Sequence, residues 1–329
     1  MYLVTGCNGF IGSYVTRRLL AEGFPVRALK RPGSDLSLVS DIAASIEWVE
    51  GDVLDVLSLH EAMKNVTYVV HAAAFVAVTG MMGSEKEKMF KVNVEGTANI
   101  VNACLSMGVQ RLCHISSVAA LTEEEHRKGE VVNEKVEWNN ALSASPYAES
   151  KHLAECEVWR GEAEGLSVCI VNPSVVIGCI PVERSSGQIF KYLRDEPLFY
   201  PPGTVNLVDA RDVAEATVKL MQSGVQGERF ILNAANVPYK EFCEKVAVRL
   251  GKQPPRRKLT SFLARAGYQL SRIGALFSRR APLLSRGLIS ALLQDRRYDN
   301  SKISKALDFR FRPLDETLDW ACTYYRNTK

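Results

Sequence analysis

Two residues that could exchange a proton with a carbonyl compound stand four positions apart in this sequence. Tyr147 and Lys151 follow Pro146, where a helical pattern begins that runs to about residue 164, so the phenol and the ammonium share one helix face. A free tyrosine has a pKa of about 10, and a neighbouring cation lowers it. We therefore expect Lys151 to make Tyr147 more acidic, and Tyr147 to donate a proton to a carbonyl oxygen. The pair alone is equally typical of an ordinary surface helix.

Hydroxyl groups at the end of a strand support the chemical interpretation. Ser116 and Ser117 directly follow an apolar run at residues 111–115, thirty residues before Tyr147. From the end of this strand, the hydroxyl of Ser117 can hydrogen-bond the same substrate oxygen and hold it in place.

A glycine-rich turn opens the chain. Residues 5–12 read TGCNGFIG, between an apolar run and a stretch that is apolar at helical spacing. Gly6 permits a tight turn, Gly9 lets a pyrophosphate approach the backbone, and Gly12 lets helix and strand pack closely. The helix N-terminus offers free N–H groups and a partial positive charge. Because they lie between a strand and a helix, the glycines favour a dinucleotide site over an ordinary loop without a ligand.

The end of the second strand favours NADP over NAD. An NAD site of this kind has an acidic residue about 20 positions beyond the glycines, which binds the ribose hydroxyls. Here Lys30 and Arg31 follow the strand at 26–29, and the first acid is Asp35. A guanidinium binds a 2′-phosphate that a carboxylate would repel. The alternative is that Lys30 and Arg31 are solvated turn residues.

Strands and helices alternate regularly along most of the chain, which predicts a parallel sheet covered on both faces. The fold class is therefore α/β, a Rossmann-type doubly wound sheet. The predicted strands lie at residues 1–4, 26–29, 46–50, 66–70, 111–115, 167–171 and 229–232, and the clearest helices at 86–107, 146–164, 209–221 and 239–250.

The alternation stops at residues 181–203 and 259–293, which predict a smaller, mainly helical lobe over the ligand edge of the sheet. We expect a dinucleotide-binding domain at 1–175 and 206–236. A substrate-binding lobe would comprise 176–205 and 237–329. The insert at 122–145 is polar and is expected to be a surface loop.

Composition indicates a soluble globular protein rather than a membrane or secreted one. Of 329 residues, 47% are hydrophobic and 24% charged, and no apolar run approaches the roughly 20 residues of a membrane span. The eight cysteines include no C-x-x-C pair and several lie in apolar runs, so we expect reduced thiols and a cytoplasmic location. We expect no metal and no nucleic-acid partner.

Positive charge is concentrated towards the C-terminus. Residues 252–312 contain 15 Lys and Arg against 3 Asp and Glu, whereas the remainder contains 26 against 34. A solvated helical surface is the favoured interpretation, over attraction to an acidic substrate or membrane. For the Arg-rich apolar stretch at 261–280, packing on the small lobe is favoured over an interfacial helix.

Several motifs in order resemble one family. TGCNGFIG, HAAA, NVEGT, HISSVAA, YAESK and NPSVVIG, with the late YDNSKISKALDFRFRPLDETL, are similar to an extended short-chain dehydrogenase/reductase. The branch most resembled contains dihydroflavonol-4-reductase-like and 3β-hydroxysteroid-dehydrogenase-like proteins. The resemblance extends nearly end to end and implies homodimers formed through the helices that carry the Asn-Val and Tyr-Lys motifs.

The resemblance also implies roles for individual residues. Ser117, Tyr147 and Lys151 would form the catalytic triad, Asn93 would be a structural and proton-relay helper, and Ser116 is the less favoured serine. The implied cofactor-binding residues are Gly6, Asn8, Gly9, Phe10, Ile11, Gly12, Arg31, Asp52, Val53, Ala72, Ala73, Ala74, Tyr147, Lys151 and Pro173.

The implied activity is hydride transfer between a nicotinamide cofactor and a carbonyl or secondary alcohol carbon of a small molecule, most simply an NADPH-dependent reduction. A nucleotide-sugar epimerase or dehydratase is the alternative, but residues 118–121, Val-Ala-Ala-Leu, lack the Asp-Glu pair and the Tyr-Gly typical of those enzymes. A non-catalytic NADP sensor is a second alternative, disfavoured because every catalytic position is filled.

The substrate itself is not specified by these residues. Five apolar side chains are candidates for a pocket and equally for the core: Phe75, Val76, Phe190, Tyr192 and Tyr200. His71, at the end of a predicted strand, is interpreted as a packed histidine in preference to a ligand or base.

Overall fold

A computed structural model describes residues 1–76, 83–121, 131–138, 145–278, 292–293 and 295–328. Most of the polar insert predicted at 122–145, and part of the segment at 259–293 assigned to the smaller lobe, lie outside these residues. The strands of the described chain are β1 (Tyr2–Thr5), β2 (Val26–Lys30), β3 (Ile46–Glu50), β4 (Tyr68–His71), β5 (Arg111–Ile115), β6 (Val131–Val132), β7 (Ser167–Pro173), β8 (Val175–Ile177), β9 (Phe199–Tyr200), β10 (Thr204–Asp209), β11 (Glu228–Leu232), β12 (Ala235–Pro238), β13 (Arg257–Lys258) and β14 (Arg297–Tyr298).

The α-helices of the same residues are α1 (Phe10–Ala21), α2 (Val56–Ala62), α3 (Gly83–Phe90), α4 (Gly96–Ser106), α5 (Pro146–Ala163), α6 (Gly187–Arg194), α7 (Ala210–Gln222), α8 (Tyr239–Leu250), α9 (Ser261–Ser278), α10 (Ser301–Leu307) and α11 (Leu314–Asn327). A π-helical turn, Lys91–Glu95, joins α3 to α4. The single long helix expected at 86–107 is therefore interrupted by a wider turn.

Seven parallel strands form the central sheet in the order β11-β7-β5-β4-β1-β2-β3. Side chains alternate across the sheet, so Tyr2 and Val4 of β1 enter one apolar layer and Leu3 enters the other. Helices α1 and α7 cover the first layer, and α2, α4 and α5 cover the second. This is the doubly wound architecture expected from the strand–helix alternation.

The strand order reverses beside β1. From β1 the chain proceeds outward to β2 and β3, then returns to β4 on the other side of β1. Connections that leave in opposite directions open a crevice at the carboxyl ends of β1 and β4, where open α/β sheets bind ligands. The glycine turn and the HAAA run of residues 71–74 both lie at this position.

The second lobe contains a small sheet as well as helices. Strand β10 pairs in parallel with β8 and antiparallel with β12, and α6, α8 and α11 pack around this sheet. The core of this lobe includes Phe190, which is 1% exposed and stacks on Tyr325 at 4.2 Å between ring centroids. Phe190 is therefore a core residue, and residues 181–203 contain a helix and a short strand that the sequence did not indicate.

The basic C-terminal stretch contains helix α9, of which the side chains are described as far as Gln269. At its start Ala264 is buried while Phe262 is 79% exposed. Among the described residues, no helix is long and apolar enough to cross a membrane. All eight cysteines lie in described residues and are free thiols.

The turn after β1 yields a prediction about Gly6. Its φ is +69°, and a Cβ there would lie 2.6 Å from the backbone nitrogen of Ala73. Gly23 has the same kind of backbone, with φ +80°, but open space around it. Both Gly→Ala variants incur the cost of a left-handed residue, about 1–2 kcal/mol. Only Gly6→Ala should also displace the HAAA backbone.

We expect Gly6→Ala to weaken NADPH binding by more than about 10-fold and Gly23→Ala to leave it unchanged, as measured by fluorescence titration of the cofactor. Equal dissociation constants for the two variants would contradict the role of Gly6.

Candidate active site

The glycine turn presents backbone donors to the crevice. The N–H of Gly9 donates to the carbonyl of Gly6 at 2.9 Å, which closes the turn. Helix α1 begins at Phe10 without a side-chain cap, because the N-cap residue is Gly9. The first-turn N–H groups, which belong to Phe10, Ile11 and Gly12, are thus left to a ligand. The turn fits the phosphates of a dinucleotide.

A cavity of about 360 Å³ lies beside this turn, at the carboxyl ends of β1 to β4. It brings together many residues of the sequence-predicted cofactor set, namely Gly6, Asn8, Gly9, Arg31, Asp52, Val53, Ala72, Ala73 and Ala74. Further lining residues, most of which the sequence did not single out, are Thr5, Leu29, Lys30, Ser34, Gly51, Phe75, Lys88, Val92 and Arg184. Tyr147, Lys151 and Pro173 are not in this lining.

Arg31 is the available cation at the β2 end of the cavity. Its neighbour Lys30 is paired with Glu50 at 2.7 Å, and Arg184 is paired with Asp35 at the same distance. Arg31 is exposed, and among the described residues it has no ion-pair partner. The guanidinium can thus bind an anionic group without breaking an existing pair.

Tyr147 and Ser117 are brought together at the carboxyl end of β5. Ser145 caps α5 by accepting a hydrogen bond from the N–H of Ala148 at 3.1 Å, which places Tyr147 in the first turn. Burial raises the pKa of Tyr147, and a hydrogen bond with the hydroxyl of Ser117 partly opposes that effect. The same hydroxyl accepts a hydrogen bond from the N–H of Ala119 at 3.2 Å.

The expectation that Lys151 makes Tyr147 more acidic is wrong for the protein alone. Lys151 is 2% exposed, and its Nζ donates to the carbonyl of Ile115 at 2.8 Å and lies 3.3 Å from Nε2 of His114. Burial lowers the pKa of Lys151 to about 8, against an opposing effect of Glu155. The ammonium is thus fixed against the end of β5, and burial dominates the pKa of the phenol.

Two neighbouring histidines, whose rings are tilted by 37°, lie close to Lys151. His71 and His114 occupy paired positions on β4 and β5, with ring centroids 5.2 Å apart. The ring nitrogens of His71 lie 2.7 Å from the hydroxyl of Thr5 and 3.1 Å from that of Thr97. Burial lowers the pKa of His71 to about 3 and also lowers the pKa of His114. His71 is thus a packed histidine, as the favoured interpretation had it.

The sequence analysis did not identify His114. It could have been identified from the alignment of β5 with β4, which pairs His114 with His71. In adjacent parallel strands a polar residue one position from the end of β5 faces the same layer as His71 at the end of β4.

Asn93 connects the cavity to the catalytic helix. It lies in the π-helical turn, where its Oδ1 accepts from the N–H of Phe75 at 2.7 Å. Its Nδ2 donates to the carbonyl of Phe75 at 3.1 Å and to the hydroxyl of Ser150 at 3.0 Å. Both amide donors are therefore engaged in holding α5 against the cavity wall.

Ser116 faces away from Ser117, into a polar cluster at the base of the site. Its hydroxyl donates to Oε1 of Glu155 at 2.5 Å, and Nδ2 of Asn172 donates to the same oxygen at 2.6 Å. Burial raises the pKa of Glu155. Sequence analysis missed Glu155, although it lies four residues after Lys151 on the same helix. Pro173 follows Asn172 and is buried at the end of β7, paired with Leu232.

Asp52 is engaged in a local turn at the cavity edge. Its carboxylate accepts from the N–H of Leu54 at 3.0 Å, and the carbonyl of Val53 accepts from Nδ2 of Asn99 at 3.1 Å. These bonds fix the backbone where a base would lie. Within the described part of the chain, no group of His, Cys, Asp or Glu side chains has the arrangement of a metal site.

Comparisons with known proteins place the chain among nucleotide-dependent enzymes. A family model described as the NAD dependent epimerase/dehydratase family matches residues 2–235. A putative dihydroflavonol 4-reductase of Synechocystis is 27% identical over 99% of this chain and 94% of its own. Sterol demethylase protein B of Methylococcus capsulatus is 28% identical over 93% and 92%. The crystal structure of gox2253 superposes with a TM-score of 0.85, at 30% identity over 99% and 98%.

The buried neutral state of His71 predicts a loss of stability in acid. Its pKa falls from an ordinary 6.5 to about 3 on folding. Between these values the unfolded chain binds a proton that the folded chain does not, so stability is complete above about pH 6.5 and falls as the pH decreases towards 3. The contribution of His71 alone amounts to about 2 kcal/mol by pH 5.

We expect His71→Asn, which cannot titrate, to show a smaller loss of unfolding free energy between pH 7 and pH 5 than the wild type, in urea titrations at both pH values. An identical loss in the two proteins would show that His71 is not held neutral.

Proposed function

Because this chain belongs to the NAD-dependent epimerase/dehydratase family, we propose that it is an NADPH-dependent reductase of carbonyl compounds. The observation that carries the proposal is the close approach of the Ser117 hydroxyl to the phenol of Tyr147 at the carboxyl end of β5, where the buried ammonium of Lys151 is also held. When bound, the nicotinamide would supply the hydride. The protein then has to bind the ketone, hold its oxygen and donate a proton.

The geometry suits proton donation by Tyr147. Burial raises the pKa of the phenol, so it carries its proton at neutral pH and is available to a carbonyl oxygen that gains negative charge. Ser117 would donate a second hydrogen bond to that oxygen. Lys151, with a pKa near 8, is mostly charged at pH 7 and holds α5, which carries Tyr147, against the end of β5.

The cavity supports NADPH as the cofactor. The glycine turn fits a pyrophosphate, and Asp52 and Val53 fit the adenine edge. Arg31 lies where the 2′-phosphate of the adenosine ribose would be, since that ribose lies beyond the end of β2 in such folds. The nicotinamide would extend along residues 72–74 towards Tyr147, with Lys151 reaching its ribose.

We propose an apolar, ring-containing ketone or secondary alcohol as the substrate class. Phe75 and Val92 line the inner end of the cavity. The names of two relatives refer to a dihydroflavonol and to a sterol, which are both polycyclic molecules. Epimerase or dehydratase chemistry has less support, because the short helix Val118–Leu121 contributes apolar side chains where such enzymes have an acidic pair. We also propose a homodimer formed through α4 and α5.

Substitution of Tyr147 tests the reaction. We expect Tyr147→Phe to retain its NADPH dissociation constant and to lose turnover of a ketone substrate by about 10²–10⁴-fold, the contribution typical of a general acid. The matched control is Tyr192→Phe, whose half-exposed hydroxyl donates to the carbonyl of Phe199 and is absent from the cavity lining. Steady-state NADPH oxidation over a panel of aromatic ketones and sterol ketones is the measurement. Turnover unchanged in Tyr147→Phe would refute the mechanism.

Substitution of Arg31 tests the cofactor preference. Loss of a charged hydrogen bond of about 1.5–3 kcal/mol should weaken NADPH binding by about 10–100-fold in Arg31→Gln and leave NADH binding unchanged. Arg310→Gln, which removes an exposed cation elsewhere, serves as the control for net charge. If both cofactors bind Arg31→Gln and the wild type alike, the 2′-phosphate is not recognised at residue 31.

A further inference from the structure

The second lobe contributes a single side chain to the cavity lining among the described residues. Every other lining residue belongs to the strand ends, turns and helices of residues 1–92, whereas Arg184 comes from the segment between β8 and α6. Its guanidinium crosses to the β2 end of the cavity, where Nη2 lies 2.7 Å from Oδ2 of Asp35. Arg184 thus links the lobe to the loop that contains Arg31.

The turn that carries Arg184 is held in one conformation by an unusual backbone angle and by close contacts. Ser185, the next residue, has a φ of +43°, which is uncommon for a residue other than glycine. Ser186 is buried and its hydroxyl donates to the carbonyl of Val176 at 2.5 Å. A Cβ at Gly187 would lie 2.6 Å from the carbonyl oxygen of Pro181. Such a turn fixes the backbone from which the Arg184 side chain extends.

The partner of Arg184 lies between the two places where a dinucleotide carries phosphate. The carbonyl of Asp35 accepts from Nδ2 of Asn8, in the glycine turn, at 3.1 Å. Asp35 also follows Arg31 and Ser34, which line the β2 end of the cavity. An arginine bound at Asp35 is therefore within the region of both the pyrophosphate and the 2′-phosphate.

The ion pair itself is easily exchanged. Both side chains are about half exposed, at 45% for Arg184 and 53% for Asp35, and pairs of this kind contribute about 0–1 kcal/mol. A 2′-phosphate carries up to two negative charges, and a pyrophosphate carries two over its adjacent phosphates, against one on a carboxylate. Either phosphate group can accept two parallel hydrogen bonds from a guanidinium. A dinucleotide that enters the cavity offers Arg184 a stronger partner than Asp35.

We propose that Arg184 is a phosphate ligand of the bound dinucleotide, contributed by the substrate lobe and paired with Asp35 when the cofactor is absent. This assignment rests on the proposed function, since it requires a dinucleotide in the cavity. Cofactor binding would transfer the guanidinium from Asp35 to the phosphate and so fasten the second lobe over the cleft.

Binding measurements on three variants test the assignment without any need for turnover. NADPH and NADH dissociation constants are measured for Arg184→Gln, Asp35→Asn and the double variant. We expect Arg184→Gln to bind NADPH at least about 10-fold more weakly, and the double variant to bind it more weakly than Asp35→Asn by a similar factor. A loss confined to NADPH identifies the 2′-phosphate as the ligand, and an equal loss for NADH identifies the pyrophosphate. Both losses support the assignment.

Two results would overturn it. A double variant that binds as tightly as Asp35→Asn would show that Arg184 acts only by neutralising Asp35, and an unchanged Arg184→Gln would show no role in binding. Lys191→Gln, an exposed cation on α6 outside the cavity lining, controls for the charge of the lobe. Wild-type protein that binds neither dinucleotide would refute the proposed function itself, whereas wild-type binding with an unaffected Arg184→Gln refutes this assignment alone.

Discussion

A buried ammonium held against the end of a strand is the interaction on which the rest of the site depends. Lys151 has almost no contact with solvent, and the carbonyl of Ile115 is its nearest hydrogen-bond acceptor. Burying a cation is costly unless nearby groups accept hydrogen bonds from it and the surrounding structure holds those groups in place. Here the neutral ring of His114 provides a second acceptor, and Glu155 favours the charged form from the next turn of α5. Strand β5 and helix α5 are thereby fixed relative to each other.

The other parts of the site follow from this fixed pair of elements. Because Tyr147 lies one turn before Lys151 and Ser117 two residues after Ile115, docking α5 on β5 brings the phenol and the hydroxyl together. Asn93 then ties the start of α5 to the cavity wall through Ser150 and Phe75. The cavity beside the glycine turn and the phenol of Tyr147 are built on different strands, and this amide connects them.

Much of the fold and many of the site residues could be predicted from sequence, for a physical reason. Buried parallel strands are short apolar runs, and a glycine turn between strand and helix is a local signal, so β5 and α8 were located to the residue. The strands β8, β10 and β12 were missed because each follows another strand with no helix between them, so the strand–helix alternation does not indicate them. The pKa of Tyr147 was misjudged because spacing on a helix does not reveal where an ammonium points, and the carbonyl of Ile115 takes it. Arg184 was missed because it belongs to none of the motifs and because its local sequence does not reveal a contact with Asp35, 149 residues away.

The π-helical turn at residues 91–95 has a consequence for how this region can vary. A π turn contains one more residue than the α turn it replaces, and Asn93 points at Phe75 and Ser150 because of that extra residue. Removing one residue there would let an unbroken α-helix form in which α3 and α4 keep nearly the same faces, because the wider turn is what absorbs the extra residue. The Asn93 amide would then lose its hydrogen bonds to Phe75 and Ser150, although every neighbouring side chain is unchanged. Relatives should thus tolerate exchanges of the neighbouring residue types in this segment far better than a deletion, since the extra residue aims the Asn93 amide while the two flanking helices stay in phase.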